Sequence, residues 1–448
     1  MKLPSHQNFH LTYCTNIHPA DGWDAVFANL QKFAPALKTR FAPDQPFGVG
    51  LRLSARDARE LLAGGRLEEF KAFLRDEGLY VAIINGFPYG PFHGTPVKAS
   101  VYAPDWRQDA RVAYTLDLIR ILRAILPDGL DGGVSTAPLS YKPWMAHAEA
   151  GSWDVITGNV VRVAEALARA READGTLIHL DIEPEPDCSI ENTAETLDFF
   201  ERRLIPDGAP LLARALDVTA ARARELLLEH IRVCFDCCHF AVEFEDAAAA
   251  LERIDNAGIR IGRVQLSSAL DVTVPTDAHE AGRIADRLRP FADATYLHQV
   301  VERREGELRH FLDLPDALEY REERSPRHWR IHFHVPLFAA EYDRLHSTQQ
   351  YVAEVLQHVL RSGATRHLEI ETYTWDVLPG GLKLDLLESI AREYDWVIET
   401  ALKSPGTPRT PSTGILKPES RSSARGRTAS SRECTRPSSS TSSGSRPN

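Results

Sequence analysis

The sequence lacks the features that mark membrane-spanning, secreted and disulfide-linked proteins. No apolar run among its 448 residues approaches the roughly 18 to 20 residues that span a bilayer, and the opening MKLPSHQNFH has no apolar signal core. Six cysteines are too few for a disulfide scaffold and indicate a reducing compartment. We therefore expect a cytoplasmic protein with no membrane span.

The sequence also lacks a GxGxxG motif after an early strand, which argues against a dinucleotide-binding fold. Instead, a β-rich run that ends in polar residues is followed by a helical segment, and this unit recurs eight times. The runs are 8–17, 47–54, 79–85, 132–140, 176–184, 231–239, 260–268 and 366–374. Regular strand and helix alternation predicts a parallel sheet, and eight units favour an α/β fold of the closed (β/α)₈ TIM-barrel type.

Three stretches depart from a simple repeat. Residues 185–230 hold two helical patterns in series, and 269–346 is a long excursion that we expect to form a lid or a site wall. From 404 to 448 the chain is Ser, Thr, Pro, Arg and Gly with few aliphatic residues, so we expect a disordered tail. The predicted organisation is a barrel over 1–403 with insertions and an appended tail.

Charge is distributed unevenly between these parts. The tail carries eight basic residues against Glu419 and Glu433, a net +6, which leaves −17 on the body out of a total of −11. A body this acidic disfavours binding to a phosphate backbone. Generic binding of DNA or RNA is therefore disfavoured.

Reacting groups of such barrels lie at the carboxyl ends of the strands. The fifth run, LIHLDIEPEP, ends in Glu183 and Glu185, and His179, Asp181 and Glu183 share one parity that points into the barrel. A buried carboxylate is tolerated when it is paired or metal-bound. A salt bridge and metal ligation both remain open for Glu183, and metal ligation is favoured.

The sixth and eighth runs also end in ionisable groups. Asp236 and His239 form a D-x-x-H pair that suits one divalent ion. In the eighth run Glu371 lies nearest the carboxyl end and is the better ligand candidate. Glu369 lies deeper, where we expect it to pair with a base such as Arg366.

Further candidates lie near these ends. HFHVP supplies His332 and His334, whose side chains share a face in an extended segment, and Gln265 stands toward the end of the seventh run. The CxxCC run at 234–238 has no second cysteine pair, which favours packing over zinc binding. Residues that could bind substrate, with capping or surface roles as the alternative, are Asn16, His18, Asn85, His93, Lys142 and Glu185.

IEP, DxxH and a terminal LEIET, in that order on successive strand ends, resemble the xylose-isomerase-like TIM-barrel superfamily of sugar isomerases, ketose 3-epimerases and apurinic endonucleases. The resemblance implies a divalent ion held by Glu183, Asp236, Gln265 and Glu371. Gln265 stands where an imidazole is usual, which makes the ligand set oxygen-rich and favours Mn²⁺ or Mg²⁺ over Zn²⁺.

In the endonuclease branch a further zinc lies at the positions of His239, His332 and His334, so a second metal is a weaker implication. Longer segments resemble the EboE family, barrel proteins of a bacterial gene cluster associated with metabolite traffic, from near residue 6 to about 400. They include HLTYCTNIHPADGW, NGFPYGPFHG, VSTAPLSYKP, FDCCHFAVEFE and LEIETYTWDVLP. This implies the processing or delivery of a small precursor, with other proteins of that cluster as candidate partners.

Three hypotheses follow from the residues and the resemblance. The first is a metal-dependent isomerase or epimerase in which Glu183 and Glu371 serve as ligands and as acid and base. The second is a barrel that binds or hands over a metabolite without turning it over. The third is an apurinic-endonuclease-like phosphodiesterase, which the charge of the body disfavours.

Overall fold

The computed structural model describes residues 1–94, 96–320, 326–376, 378 and 385–403. The expected disordered tail, 404–448, lies outside the described residues. Within them, one nine-stranded sheet contains eight parallel strands and the antiparallel Lys2–Leu3. The parallel strands are β1 His6–Tyr13, β2 Phe47–Arg52, β3 Leu79–Asn85, β4 Gly132–Thr136, β5 Ile178–Ile182, β6 Ile231–Asp236, β7 Ile261–Leu266 and β8 His367–Ile370.

The eight parallel strands close into a (β/α)₈ barrel, which confirms the predicted fold. Each of β2 to β8 pairs with its sequence neighbour in the barrel, β8 pairs with β1, and a parallel bridge between Cys14 and Gly50 links β1 to β2. All residues of β3 are buried, as expected for a strand covered on both faces. The predicted runs therefore coincide with the strands, although several strands end before the run does.

Glycines inside the barrel make room for polar side chains. A Cβ at Gly50 would overlap the carboxylate of Glu369, and a Cβ at Gly262 would overlap that of Asp181. These strand positions must lack a side chain because the barrel interior holds a layer of charged groups at this height.

The α-helices cover the outside of the sheet and follow the strands in alternation. Two helices follow β2, and they are separated where Gly64 and Gly65 adopt positive φ. Ser54 caps the first of these through a capping box with Asp57. The helices are Trp23–Phe41, Ala55–Leu61, Arg66–Asp76, Asp109–Ile125, Lys142–Met145, Ser152–Asp174, Thr193–Phe199, Ala209–Leu216, Ala220–His230, Cys237–Val242, Ala247–Asn256, Ala278–Leu288, Leu314–Glu319, Gln349–Ser362 and Leu386–Leu402. Shorter 3₁₀ turns span Thr15–Ile17, Lys98–Tyr102, Arg289–Phe291 and Thr374–Asp376, and a π-helix spans Phe200–Gly208.

The excursion after β7 forms a sheet of its own, hereafter the inserted sheet. Its strands, in spatial order, are Glu307–Phe311, Val300–Arg304, Arg327–Val335, Ser268–Val274, Leu345–Ser347 and Glu341–Tyr342. Neighbouring strands are antiparallel, and Trp329 and Ile331 belong to the same buried apolar cluster as the barrel. The insertion is thus a packed layer, and it returns His332 and His334 to the mouth of the barrel.

No helix among the described residues is both long and apolar enough to cross a membrane.

Candidate metal centre

A small cavity lies at the carboxyl ends of the barrel strands. Water can enter about 50 Å³ of it, and one water needs about 10–15 Å³ on this measure, so the cavity suits an ion with a small polar ligand. Its polar lining comprises Asn16, Asn85, Lys98, Glu183, Glu185, His239, His332, His334 and Glu371, and its aromatic lining comprises Phe87, Phe92, Tyr102, Tyr296 and Tyr373.

Three histidines at the cavity share one hydrogen-bonding pattern. His239, His332 and His334 each direct Nδ1 at an oxygen acceptor, so Nδ1 carries the proton and Nε2 keeps its lone pair. The acceptors are the Pro184 carbonyl at 2.8 Å, Gln299 Oε1 at 2.7 Å and the Glu371 carbonyl at 2.8 Å. This is how proteins orient metal-binding imidazoles.

The local fold of the D-x-x-H segment explains why its two groups meet. Asp236 ends β6 and caps the helix Cys237–Val242 by accepting from the backbone N–H of His239 at 3.1 Å. One carboxylate oxygen, Oδ1, also accepts from Ser267 at 2.7 Å. The cap leaves Asp236 Oδ2 unused and places His239 in the first helical turn beside it.

Several buried atoms of the cavity have no hydrogen-bond partner among the described residues. They are Glu183 Oε2, Asp236 Oδ2, His332 Nε2 and His334 Nε2. The ligand atoms of Asp236, His239 and His334 lie within 4.8 Å of one another, and so do those of Glu185, His239 and His332. Carboxylate oxygens and imidazole nitrogens that converge without protein partners fit a divalent ion.

Glu371 is held by three amide donors. Asn16 Nδ2 donates to Oε1 at 2.6 Å, Asn85 Nδ2 donates to it at 3.1 Å, and Gln265 Nε2 donates to Oε2. Gln265 Oε1 accepts from Cys234 Sγ at 2.6 Å. Gln265 therefore turns its NH₂ group to Glu371 and acts as an orienting donor, and its oxygen faces away from that carboxylate.

Electrostatics at the cavity follow from burial and crowding of acids. Burial first, then the carboxylates of Asp236 and Glu185, raise the pKa of Glu183 well above its usual value. Burial, then Glu183 and Asp236, do the same to the pKa of Glu371. Burial lowers the pKa of His332 far below 6.5, which keeps this imidazole neutral. The cluster thus combines neutral imidazoles with acids that repel one another, a charge imbalance that a divalent cation relieves.

The structure brings most of the predicted site residues to one place but not all of them. His18 stacks on a phenylalanine with ring centroids 4.2 Å apart, outside the cavity. Lys142 also lies outside it and forms an ion pair with Glu191. His93 is behind the cavity wall and bonds the carbonyl of Asn16 at 2.5 Å, so it supports that wall.

One expected ion pair is wrong. Glu369 pairs with Arg263 at 3.3 Å, and Arg263 also bonds Asp181 at 3.2 Å. Arg366, the partner expected from the sequence, precedes β8 and pairs with Asp131 at 2.5 Å. Strand β7 places Arg263 inside the barrel beside Glu369 of β8. Glu369 therefore pairs with a residue of the adjacent strand and not with Arg366, which is near it in sequence.

Sequence reasoning missed a polar network behind the histidines. Tyr102 donates to Glu185 at 2.7 Å, and Gln299 Nε2 donates to Tyr102 at 3.0 Å while its oxygen holds His332. Gln299 adjoins the inserted strand Val300–Arg304, whose pairing with Arg327–Val335 brings it to His332. No local motif marks it, because its role depends on strand pairing.

Comparison with known proteins identifies similar folds. No protein-family profile matches the sequence, and no curated protein matches it significantly. The IolI protein, solved with a bound zinc atom, is 12% identical with a TM-score of 0.45, covering 88% of this chain and 99% of its own. A xylose isomerase domain protein from Planctomyces limnophilus is 12% identical with a TM-score of 0.44, covering 89% and 99%. The probable 3-DHS dehydratase AsbF from Bacillus anthracis is 12% identical with a TM-score of 0.41, covering 86% and 98%. Likeness of this degree says nothing about substrate or activity.

Proposed function

We propose that this protein is a metal-dependent enzyme of the sugar isomerase or epimerase type, which acts on a small polyhydroxylated carbonyl compound. One observation carries the proposal: oriented imidazoles and unpartnered buried carboxylate oxygens converge on a single cavity at the carboxyl ends of the strands. Barrels of this architecture place their reacting groups at that end.

The residues that would hold the ion are Asp236, His239 and His334, with Glu183, Glu185, Glu371 and His332 completing the set. A bound divalent ion supplies positive charge that polarises carbonyl and hydroxyl oxygens of the substrate. Glu183 and Glu371 both line the cavity, and burial raises the pKa of both. A carboxyl group in this position can take a proton from a carbon beside a carbonyl and return it.

The amide and aromatic lining fixes Glu371 and shapes the cavity. Asn16 and Asn85 each bond Glu371 Oε1 and fix that carboxylate in the cavity. Phe92, Tyr296 and Tyr373 pack together with ring centroids 5.0 to 5.1 Å apart and form an apolar wall. Such a wall suits the C–H face of a small carbohydrate and excludes water from the reacting groups.

The donor set also bears on the ion. The expectation of Mn²⁺ or Mg²⁺ depends on Gln265 as an oxygen ligand, whereas its NH₂ group faces Glu371. Three imidazoles in the set favour Zn²⁺ or Mn²⁺ over Mg²⁺. We infer that Zn²⁺ and Mn²⁺ are the ions to compare first.

The proposed biological role follows the resemblance to the EboE family. It is the processing or delivery of a small precursor, with proteins of the same gene cluster as partners and no nucleic-acid substrate. The charge of −17 on the body supports the last point.

The test is metal analysis of the full chain followed by isotope exchange. Protein from cells supplied with zinc or manganese is analysed for bound metal, then incubated with a panel of aldoses and ketoses in D₂O. We expect about one ion at the cavity and NMR-detected deuterium uptake at the carbon beside the carbonyl. Glu183→Gln should slow exchange by about 10²–10⁴-fold, and the matched surface variant Glu165→Gln should not.

The other hypotheses give different results in the same assays. Metal without exchange on any compound would favour a barrel that binds its metabolite without turnover. Protein that stays metal-free after supplementation would overturn the enzyme proposal. Cleavage of abasic-site DNA with Mn²⁺ or Zn²⁺ would favour the phosphodiesterase.

A further inference from the structure

A second group of ionisable residues lies outside the cavity, at the junction of the barrel and the inserted sheet. We call Asp187, Glu191, Glu243 and His310 the rim cluster. Asp187 and Glu191 follow β5, Glu243 follows the helix Cys237–Val242, and His310 lies on the inserted strand Glu307–Phe311. Their side chains are 10%, 11%, 3% and 29% exposed, respectively.

The residues of the rim cluster lie close together: the backbone N–H of Asp187 donates to Glu191 Oε2 at 2.9 Å, and His310 faces two carboxylates at ion-pair distance. His310 Nδ1 lies 3.6 Å from Asp187 Oδ1, and His310 Nε2 lies 3.8 Å from Glu243 Oε2. Both distances exceed those of a hydrogen bond. The second carboxylate oxygens, Asp187 Oδ2 and Glu243 Oε1, are buried and have no partner among the described residues. Ligand atoms of Asp187, Glu191 and His310 lie within 4.8 Å of one another.

The rim cluster sets three carboxylates against one imidazole, His310, which faces both Asp187 and Glu243, and one ammonium group, Lys142. Lys142 contacts Glu191 and also Glu195, the latter at 2.8 Å, so one ammonium group is shared by two carboxylates. Asp187 and Glu243 remain without a lysine or arginine partner among the described ion pairs. Buried carboxylates that lack a partner are costly, and metal coordination is a common way to satisfy them.

We propose that the rim cluster is a second divalent-cation site, which takes Mn²⁺ or Zn²⁺ through Asp187, Glu191, Glu243 and His310. One imidazole with carboxylates is a donor set that these ions accept. The four ligands come from the segment after β5, from the residue that follows the helix carrying His239, and from the inserted sheet. A bound cation would therefore fasten the inserted sheet to the barrel beside the cavity.

Another buried acidic and imidazole group shows what a non-metal arrangement looks like. Asp131, His179 and His367 also bring ligand atoms together, but Arg366 and Arg232 bind Asp131 at 2.5 and 3.3 Å. Two arginines already supply the positive charge there. The rim cluster has unpartnered carboxylate oxygens in the place of such arginine contacts.

The experiment counts ions on the full chain. Metal-stripped wild type, His310→Ala, Glu243→Gln and the double variant His239→Ala/His334→Ala are dialysed against Mn²⁺ or Zn²⁺ and analysed for bound metal. We expect two equivalents on wild type and one on the double variant. His310→Ala and Glu243→Gln should each bind the second equivalent at least about tenfold more weakly. His328→Ala is the matched control, because His328 is 28% exposed in the same sheet and, among the described carboxylates, pairs with Asp271 alone.

A second measurement covers variants that fold poorly. Limited proteolysis of wild type should show that metal protects the inserted sheet, and His310→Ala should lose that protection while His328→Ala keeps it. Wild type that binds only the equivalent lost in the double variant would overturn the proposal, as would His310→Ala with two equivalents and unchanged affinity. Loss of the cavity ion alone would instead contradict the proposed function and leave the rim equivalent bound.

Discussion

The barrel interior holds ionisable residues in two regions, which we call the lower layers and the upper layer. The lower layers contain Asp131, Asp181, Arg263 and Glu369, and the upper layer is the lining of the cavity at the carboxyl ends of the strands. In the lower layers each carboxylate meets an arginine: Asp131 meets Arg366, while Asp181 and Glu369 share Arg263. In the upper layer no arginine lines the cavity among the described residues, and Glu183 Oε2 and two imidazole nitrogens have no hydrogen-bond partner. Glu369 Oε1 and His179 Nε2 also lack a hydrogen bond in the lower layers, so the arginines are what distinguishes the two.

This contrast separates groups that stabilise the fold from groups that serve a ligand. Burying a charge is costly in both layers, and an arginine offsets that cost in the lower ones. The upper layer keeps its carboxylates and imidazoles available, so its stability depends on an ion or on raised carboxyl pKa values. Substitutions should therefore affect unfolding in the lower layers and metal binding in the upper layer.

The largest expected effect is at Arg263. Arg263→Met leaves Asp181 and Glu369 buried without their shared cation, and we expect a loss of about 3–5 kcal/mol in the free energy of unfolding. Denaturant titration measures it. The triple variant Arg263→Met/Asp181→Asn/Glu369→Gln should recover much of that loss, because no uncompensated charge remains. A loss below about 1 kcal/mol in Arg263→Met would mean that the lower layers are not held by this ion pair.

The next effect concerns Glu393, a buried acid that has no basic partner among the described residues. Glu393 accepts from Leu337 N–H at 3.1 Å and from Thr372 at 2.6 Å, and burial raises its pKa to about 7. Because the folded pKa exceeds the unfolded one, the contribution of Glu393 to stability is complete below about pH 4.5 and falls as the pH rises through 7.

Glu393→Gln should remove that pH dependence. Relative to wild type, the variant should gain about 2–3 kcal/mol between pH 5 and pH 8. Denaturant titrations at several pH values measure this difference, with the exposed Glu388→Gln on the same helix as control. A constant difference across this range would contradict the raised pKa.

A third effect concerns metal affinity in the upper layer. Gln299→Leu removes the acceptor of His332 Nδ1–H, so the imidazole is no longer held with Nε2 toward the cavity. We expect Zn²⁺ affinity to fall about 10–100-fold, measured by chelator competition. Gln350→Leu, on an exposed helix surface, is the control. Unchanged affinity would show that His332 is not a ligand.

The layering of the barrel could be predicted in part from the sequence. β-rich runs ending in polar residues predict the strands and the end at which Glu183, Asp236 and Glu371 lie, because alternation and strand polarity are local properties. Asp236 and His239 meet for an equally local reason, since a residue that caps a helix lies beside the first turn.

Partners across the sheet could not be predicted in this way. The expected pair of Glu369 with Arg366 is wrong because register between β7 and β8 selects Arg263. The orientation of Gln265, the role of Gln299 and the positions of His18 and Lys142 outside the cavity depend likewise on strand pairing and on the path of each loop. Sequence patterns predict how far along the barrel axis a residue lies, whereas its contact partners depend on tertiary packing.

The smallest expected effect is at Arg366, and it sharpens the contrast within the lower layers. Its side chain is 47% exposed and pairs with Asp131 at 2.5 Å, but Asp131 also contacts Arg232 at 3.3 Å and His367 at 3.2 Å. Solvent screens an exposed pair, and the remaining partners still compensate the carboxylate, so Arg366→Met should cost less than about 1 kcal/mol in the free energy of unfolding. Denaturant titration of Arg366→Met and Arg263→Met side by side measures the two losses of stability. High salt should change the loss for Arg263→Met little, because the Arg263 pairs are fully buried. A cost for Arg366→Met that approaches that of Arg263→Met would mean that burial does not set the strength of these ion pairs.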